Sequence, residues 1–360
     1  MAINQLDCFR ATVAHESHEG FLYHFGLTPD LHRRVREAHK LDEKADIAKF
    51  YGMFSPRSVG LRAPGEVKRP DFSVYFKDIE IPPRAYINGL GVLEVPGSLY
   101  HFTQYISPLR NAAKFEDIEA FPYPSVKGFL DDHMAAEVEA AHQAGVPACT
   151  WVGHMYENAW QVRGYTQFLM DTIERPEWCE YILDRFMENN LATAVAAAKA
   201  GVDLLYTGDD VANQRALMFS LPQWRKLIKS RWAKVYAAAK SIKPDIKIWY
   251  HSDGNVEDIV PDMIEIGLDI LNPVQPECLD PVKLKKKYGK KLVFDGTIGT
   301  QSTMPWGTPE EVKQVVRERV KTLGYDGALI LAPTHVLEPE VPIANIDAFV
   351  EAAKEFGTIL

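Results

Sequence analysis

Four cysteines are all that 360 residues carry, and Cys8, Cys149, Cys179 and Cys278 are scattered without a CxxC pair. That spacing excludes a disulfide framework and a structural zinc knuckle, and it fits a reducing compartment. Basic residues are in deficit: Lys+Arg number 40 against 49 Asp+Glu, a net charge of −9. A chain of that sign lacks the cation excess that nucleic acid or an anionic membrane demands, so neither is expected as a partner. The densest basic run, Lys283 to Lys291, reads as a solvated helix face. No apolar run approaches the roughly 18 residues that span a bilayer, and the start, MAINQLDCFRATVAHESHEG, has no basic-then-apolar leader. The expectation is a cytoplasmic protein. Neither a GxGxxG after an early strand nor a DxHxxG is present.

What is there is a helix–strand alternation. Residues 1–125 are rich in Pro and aromatics with poor periodicity and read as an irregular, strand-containing extension that holds the first barrel strands and a lid or docking element. From 126 to 360 short apolar strands are expected at 148–153, 203–208, 246–251, 268–273, 291–296 and 328–333. Helices are expected at 127–144, 177–199, 222–241, 256–266, 281–288 and 309–323. Thr308-Pro309-Glu310-Glu311 is a capping box with Pro at the first helical position, and Pro176 opens a helix that Gly201 stops. Strict alternation implies parallel βαβ units. With FLYHF (21–25) and INGLGVL (87–93) as earlier strands, the count closes a (β/α)8 TIM barrel, in one structural domain. A doubly wound open sheet is the alternative, without its glycine fingerprint.

In such a barrel, chemistry sits where strands end. Here the strand ends run into His154, Tyr156 and Glu157; Asp209, Asp210 and Asn213; His251 and Asp253; Gln275; Asp295; and Thr334-His335. His251, Asp253 and His335 form an N/O set that can hold Zn2+ or a similar ion with a position left open. The competing readings are metal-free acid–base chemistry by the same groups, or rim histidines with Asp253 capping the next helix. Asp209 and Asp210 are expected to orient substrate or ligand, or else to accept turn N–H groups. His154, Tyr156, Glu157, Asn213, Gln275 and Asp295 are the substrate-binding candidates. Five N-terminal histidines (His15, His18, His24, His32, His39) fit no single ligand geometry and read as surface groups, with His24 set apart at a strand end. Trp151, Trp160, Trp224 and Trp249 read as core packing.

Five stretches together resemble the uroporphyrinogen decarboxylase superfamily, and within it the corrinoid-dependent methyltransferase branch. They are SPLRNAAKFEDIEAFPYP (107–124), GDDVANQRALMFSLPQWRK (208–226), HSDGNVEDIVPDMIEIGLDILNPVQPE (251–277), LVFDGTIGTQ (292–301) and LAPTHVLEPEVPIANIDAF (331–349). The resemblance implies a (β/α)8 barrel. It also implies zinc at the positions where relatives carry a His-x-Cys pair and a later Cys, which here are His251, Asp253 and His335. Thiolates are thus replaced by harder O and N donors, which suits an oxygen leaving group better than a thiol acceptor. The arginine-rich motif of true decarboxylases is missing from FLYHFGLTPDLHRR (21–34). The implied activity is demethylation of a small methoxylated, aromatic substrate, with the methyl group passed to cobalamin or another corrinoid on a separate protein, since the chain has no corrinoid-binding signature of its own. A decarboxylase-like lyase acting on a small hydroxylated acid is the rival, and a barrel that only binds is the third reading. Relatives of this barrel often dimerise, so a homodimer is also an expectation.

Overall fold

The computed structural model describes residues 4–65, 70–97 and 103–356. Its strands are β1 (Arg57–Ser58), β2 (Tyr86–Ile87), β3 (Leu93–Val95), β4 (Gln104–Ile106), β5 (Ala148–His154), β6 (Leu204–Gly208), β7 (Lys247–His251), β8 (Ile270–Asn272), β9 (Val293–Asp295) and β10 (Leu329–Ile330). Seven of them form one parallel sheet in the order β1-β5-β6-β7-β8-β9-β10. Residues 21–25 close it: Tyr23 bridges Leu331 in parallel, and Phe54, just before β1, donates its N–H to the Tyr23 carbonyl at 2.7 Å. The result is the expected eight-stave barrel. INGLGVL is not one of its staves. Tyr86–Ile87, Leu93–Val95 and Gln104–Ile106 instead form a separate antiparallel sheet, β2-β3-β4, and the second stave is the short β1, too brief to leave a pattern.

Strand alternation sorts the side chains into two layers. Leu22, Cys149, Leu204, Trp249, Ile270, Val293 and Ile330 fill the inside. Tyr23, Leu205, Ile248, Tyr250, Leu271, Phe294 and Leu329 face the surrounding helices. Helix Gln5–Ala14 stoppers one end of the barrel, because Cys8 and Phe9 join the inner layer. The Leu6 N–H is tied to the Gly145 carbonyl at 2.9 Å. The opposite mouth, where the strands end, is left for chemistry.

The helices follow their local signals. Thr308 and Glu311 cap helix Pro309–Leu323 reciprocally, an arrangement whose loss typically costs about 1 kcal/mol. Helix Pro176–Ala200 buries Trp178, Ile182 and Phe186 and ends at Gly201 with φ +89°, a left-handed conformation that glycine tolerates without strain. The expected helix at 222–241 is divided by a π-helical turn over Arg225–Lys229. The lysine run on helix Pro281–Tyr288 is not wholly solvated: Lys285 is buried, with Nζ 2.7 Å from Asp326 Oδ1. Among the described residues no helix is long and apolar enough to cross a membrane.

Candidate active site

Inward-facing positions at the strand ends decide what the mouth contains. On β7 the inner phase runs Trp249, His251, Asp253, while Tyr250 and Ser252 point outward and are fully buried. On β6 the same phase puts Asp210 inward and Asp209 outward. His24 follows Leu22 inward, Asn272 follows Ile270, and Asp295 follows Val293. These residues meet around a cavity of about 410 Å3 whose wall includes His24, Trp151, His154, Asp210, His251 and His335.

His251 is the centre. Its Nδ1–H donates to Asn272 Oδ1 at 2.7 Å, which turns Nε2 toward two carboxylates, Asp210 Oδ1 at 3.8 Å and Asp253 Oδ1 at 4.0 Å. Asp210 in turn accepts the Asp253 N–H at 2.8 Å, locking the two acids' relative position. Burial works against the charged imidazole, but Asp210, Asp253 and the Asn272 bond outweigh it and raise the His251 pKa above its ordinary value. Burial raises that of Asp210, which the neighbouring Glu157 and Asp253 reinforce. The Trp249 ring lies nearly parallel to that of His251, 5.8 Å away, and its Nε1–H donates to Asp295 Oδ2 at 2.7 Å. Asp295 also holds His24 Nε2 at 2.9 Å. Asp295 therefore sits behind His24 and Trp249 and positions both.

Beside the metal set expected from the sequence, His251, Asp253 and His335, the structure brings a further carboxylate, Asp210. One ligand atom each from Asp210, His251 and Asp253 lie within 4.8 Å of one another. His335 stands on the far side of Asp253, with Nε2 at 3.8 Å from Oδ2 and its ring 6.5 Å from that of His251. The third member beside His251 and Asp253 is Asp210. This donor set fits a divalent cation: two hard oxygens, one imidazole nitrogen, and an amide on the other ring nitrogen to fix the tautomer.

Asp209 lies outside the cavity. It is fully buried, and its Oδ1 accepts the N–H groups of Met155 at 2.8 Å and Glu157 at 3.2 Å. Its Oδ2 accepts Trp232 Nε1–H at 2.9 Å. It thus satisfies the start of helix Tyr156–Arg163 from a distant strand. Burial pushes its pKa up to about 7. Beside it His154 Nδ1 lies 2.6 Å from Glu157 Oε2 and 2.8 Å from the Gly208 carbonyl. Burial opposes protonation of His154, yet the Glu157 bond and charge raise its pKa to about 9. Tyr156 is buried with its ring against Phe168 and Phe219, away from the cavity.

A second cavity of about 420 Å3 adjoins the first and shares Thr334, His335 and Val336 with it; Asn213 and Gln275 border this one. Of the tryptophans expected in the core, Trp151 instead reaches the mouth, and Trp249, buried in the inner layer as expected, also shows one side to it. Trp151 is 50% exposed and meets the His154 ring edge-on at 5.1 Å, and Trp249 borders the first cavity. Trp224 is buried as expected. Of the five N-terminal histidines, only His24 borders a cavity at this mouth. Trp151 and Asn272 escaped the sequence reading as mouth residues, although strand parity, counted from Cys149 and Ile270, points each inward, whereas His24, set apart at its strand end, does reach the mouth.

The family model described as uroporphyrinogen decarboxylase (URO-D) matches residues 63–356. The chain belongs to the uroporphyrinogen decarboxylase family. Among solved structures, a methyltransferase from Methanosarcina mazei is similar over 98% of both chains, with a TM-score of 0.65 and 20% identity, a likeness of fold. Xylanase 10B from Thermotoga petrophila, at TM-score 0.38 and 12% identity, covers 68% of this chain and 84% of its own. No curated protein matches the sequence.

Proposed function

We propose that this member of the family is a methyltransferase that takes a methyl group from a small methoxylated aromatic substrate and passes it to a corrinoid carried by a separate protein. The observation that carries the reading is the Asp210–His251–Asp253 cluster opening into a cavity walled by Trp151 and Trp249. Indole faces stack an aromatic ring, and the cluster meets the demand of a methyl ether, whose basic oxygen leaves only if charge on it is stabilised. Among the described residues neither cavity is bordered by a Lys or Arg. Arg33 pairs with Asp30 and Glu37 and Arg34 reaches the Pro339 carbonyl. That disfavours the polycarboxylate substrates of a decarboxylase.

In this reading Trp151 and Trp249 hold the ring, and Asn272 keeps His251 Nε2 aimed at the ether oxygen. Asp210 and Asp253 hold the imidazole protonated until that oxygen accepts the proton, and His335, across Asp253, is a second donor. In the alternative state, with His251 Nε2 unprotonated, a divalent cation such as zinc held by Asp210, His251 and Asp253 would supply Lewis-acid polarisation of the same oxygen in place of the proton. A corrinoid ring is too large for about 410 Å3, so the acceptor meets the methyl group at the mouth. The β2-β3-β4 sheet, whose Tyr105 meets Trp160 of helix Tyr156–Arg163 edge-on at 5.7 Å, is the candidate docking surface.

The test is mixing the purified protein with cob(I)alamin and a panel of methoxyarenes while following the corrinoid spectrum, alongside metal content by plasma mass spectrometry. Conversion to the methylated corrinoid spectrum, lost in His251→Ala, is the expected result. No conversion with any methoxyarene, together with carbon dioxide release from a hydroxylated acid, would replace this reading by the lyase.

A further inference from the structure

His24 borders the first cavity as His251 does, but a different group stands behind it. Its Nε2 lies 2.9 and 3.2 Å from the two carboxylate oxygens of Asp295, so that nitrogen carries a hydrogen and donates it. Asp295 is itself buried and is held from a second side by the Trp249 indole N–H at 2.7 Å. Burial disfavours a charge on His24, but Asp295 outweighs burial and raises its pKa above the ordinary value. A carboxylate in this place fixes the tautomer and makes the imidazole's other nitrogen a better base. That nitrogen, Nδ1, makes no hydrogen bond among the described residues, and the side chain is 31% exposed. The reaction proposed above leaves it unused.

The barrel sets where His24 stands. Residues 21–25 lie between β1 and β10, and the sheet order makes β7 the fourth stave from them in either direction. His24 and His251 therefore enter the mouth from opposite staves, and both border the cavity of about 410 Å3. The Trp249 indole, on which the aromatic ring would lie, is tied to the same Asp295 that holds His24. A six-membered ring that turns a methoxyl group toward His251 turns the position across the ring toward His24. The two positions beside the methoxyl point back toward β7.

We propose that His24 is a substrate-binding residue that recognises a hydroxyl group placed across the ring from the methoxyl, as in 4-methoxyphenol. The inference rests on the function proposed above for the first cavity. A hydroxyl suits Nδ1 in either protonation state: it donates to the lone pair of the neutral imidazole and accepts from the imidazolium. A bare ring carbon or an alkyl group at that position displaces solvent from Nδ1 and offers it no partner, which costs affinity. His24 thus selects among methoxylated rings, whereas His251 acts on the ether oxygen that all of them share.

The test is titration calorimetry without a corrinoid, so that no methyl group moves, with 4-methoxyphenol, 2-methoxyphenol and anisole as ligands. 4-Methoxyphenol should bind at least tenfold more tightly than anisole. His24→Phe keeps a ring and removes both nitrogens; circular dichroism checks that it folds. It should cut the advantage of 4-methoxyphenol to less than threefold and change anisole and 2-methoxyphenol less than threefold. The parent alone can overturn the inference: 4-methoxyphenol bound no more tightly than anisole does so whether or not the variant folds. An advantage that survives His24→Phe, or an equal loss for all three ligands, also overturns it, the second because His24 would then be only a structural support. Failure of all three to bind the parent removes the methoxyarene reading of the cavity and the inference with it. Turnover with cob(I)alamin is read separately and bears only on the reaction.

Discussion

Two neighbouring aspartates at the end of β6 belong to two clusters that look alike on paper and differ in kind. His154, Glu157 and Asp209 form one; Asp210, His251 and Asp253 form the other. In the first, nearly every hydrogen-bonding site is taken by the protein itself, with three N–H donors on Asp209 and both a carbonyl and a carboxylate on His154 Nδ1. In the second, the carboxylates face an imidazole at 3.8 and 4.0 Å across open space. A cluster whose groups are mutually satisfied is architecture; one whose groups converge without closing awaits a proton, a cation or a substrate. Substitution should separate the two. His251→Ala is expected to lower kcat/KM for methyl transfer by about a thousandfold, within the range of general-acid contributions. Asp210→Asn should act in the same direction and leave unfolding free energy within about 1 kcal/mol of the parent. A His251→Ala protein with near-parental turnover would move the chemistry elsewhere.

The opposite pattern is expected at Asp209. Asp209→Ala strips the acceptor from two backbone N–H groups and one indole N–H in a fully buried place. Unpaired buried donors cost roughly 1–3 kcal/mol each, so urea denaturation should report a loss of about 3 kcal/mol or more. If Asp209→Ala instead kept its stability and lost turnover, the closed cluster would be functional and the distinction would fail.

Much of this was legible in the sequence. The polar strand ends converge because a parallel barrel forces them to, and the helix beginning at Pro309 announces itself through Thr308 and Glu311. What one-dimensional reading blurred was direction. Asp209 and Asp210 are chemically identical, and only the phase of Leu204–Leu205–Tyr206 says that one points to Trp232 and the other to His251. That Asp210 gathers with His251 and Asp253 in one group able to hold a cation has a further cause. It depends on how far apart β6, β7 and the segment after β10 end, a three-dimensional distance that spacing does not encode. INGLGVL misled because it is a hairpin, with Ile87 ending β2 and Leu93 opening β3 around Gly91 at φ +79°, and its apolar ends read as one short strand.

The closed cluster also predicts a pH dependence of stability. The His154 pKa is raised from 6.5 to about 9 by Glu157 against the opposing effect of burial. A group whose folded pKa is raised binds its proton more tightly in the folded state. Its contribution is complete below pH 6.5 and is lost as the pH rises through 9. At 1.36 kcal/mol per unit this amounts to about 3 kcal/mol. Unfolding free energy measured by urea at pH 6 and pH 10 should show that decline, and Glu157→Gln should flatten it. A decline that survives in Glu157→Gln would assign it to other groups.

The smallest effect is the sharpest probe of the comparison. Trp232 reaches Asp209 Oδ2 from helix Ser230–Ile242, on the outer side of the sheet, and packs against Tyr236 with ring centroids 5.4 Å apart. Trp232→Phe keeps most of the ring and removes one of the three donors, leaving Met155 and Glu157 to hold the carboxylate. The expected loss is about 1–2 kcal/mol, one hydrogen bond to a carboxylate with a little volume. Because the donor that goes lowers the Asp209 pKa, that pKa should move above 7, seen as a fall in stability with rising pH that continues past 7 instead of ending there. Turnover should stay within twofold, since Trp232 touches only the outward aspartate. Should Trp232→Phe instead slow methyl transfer tenfold with stability intact, the strain would be passing through the backbone from Asp209 to Asp210. The two clusters would then be one unit.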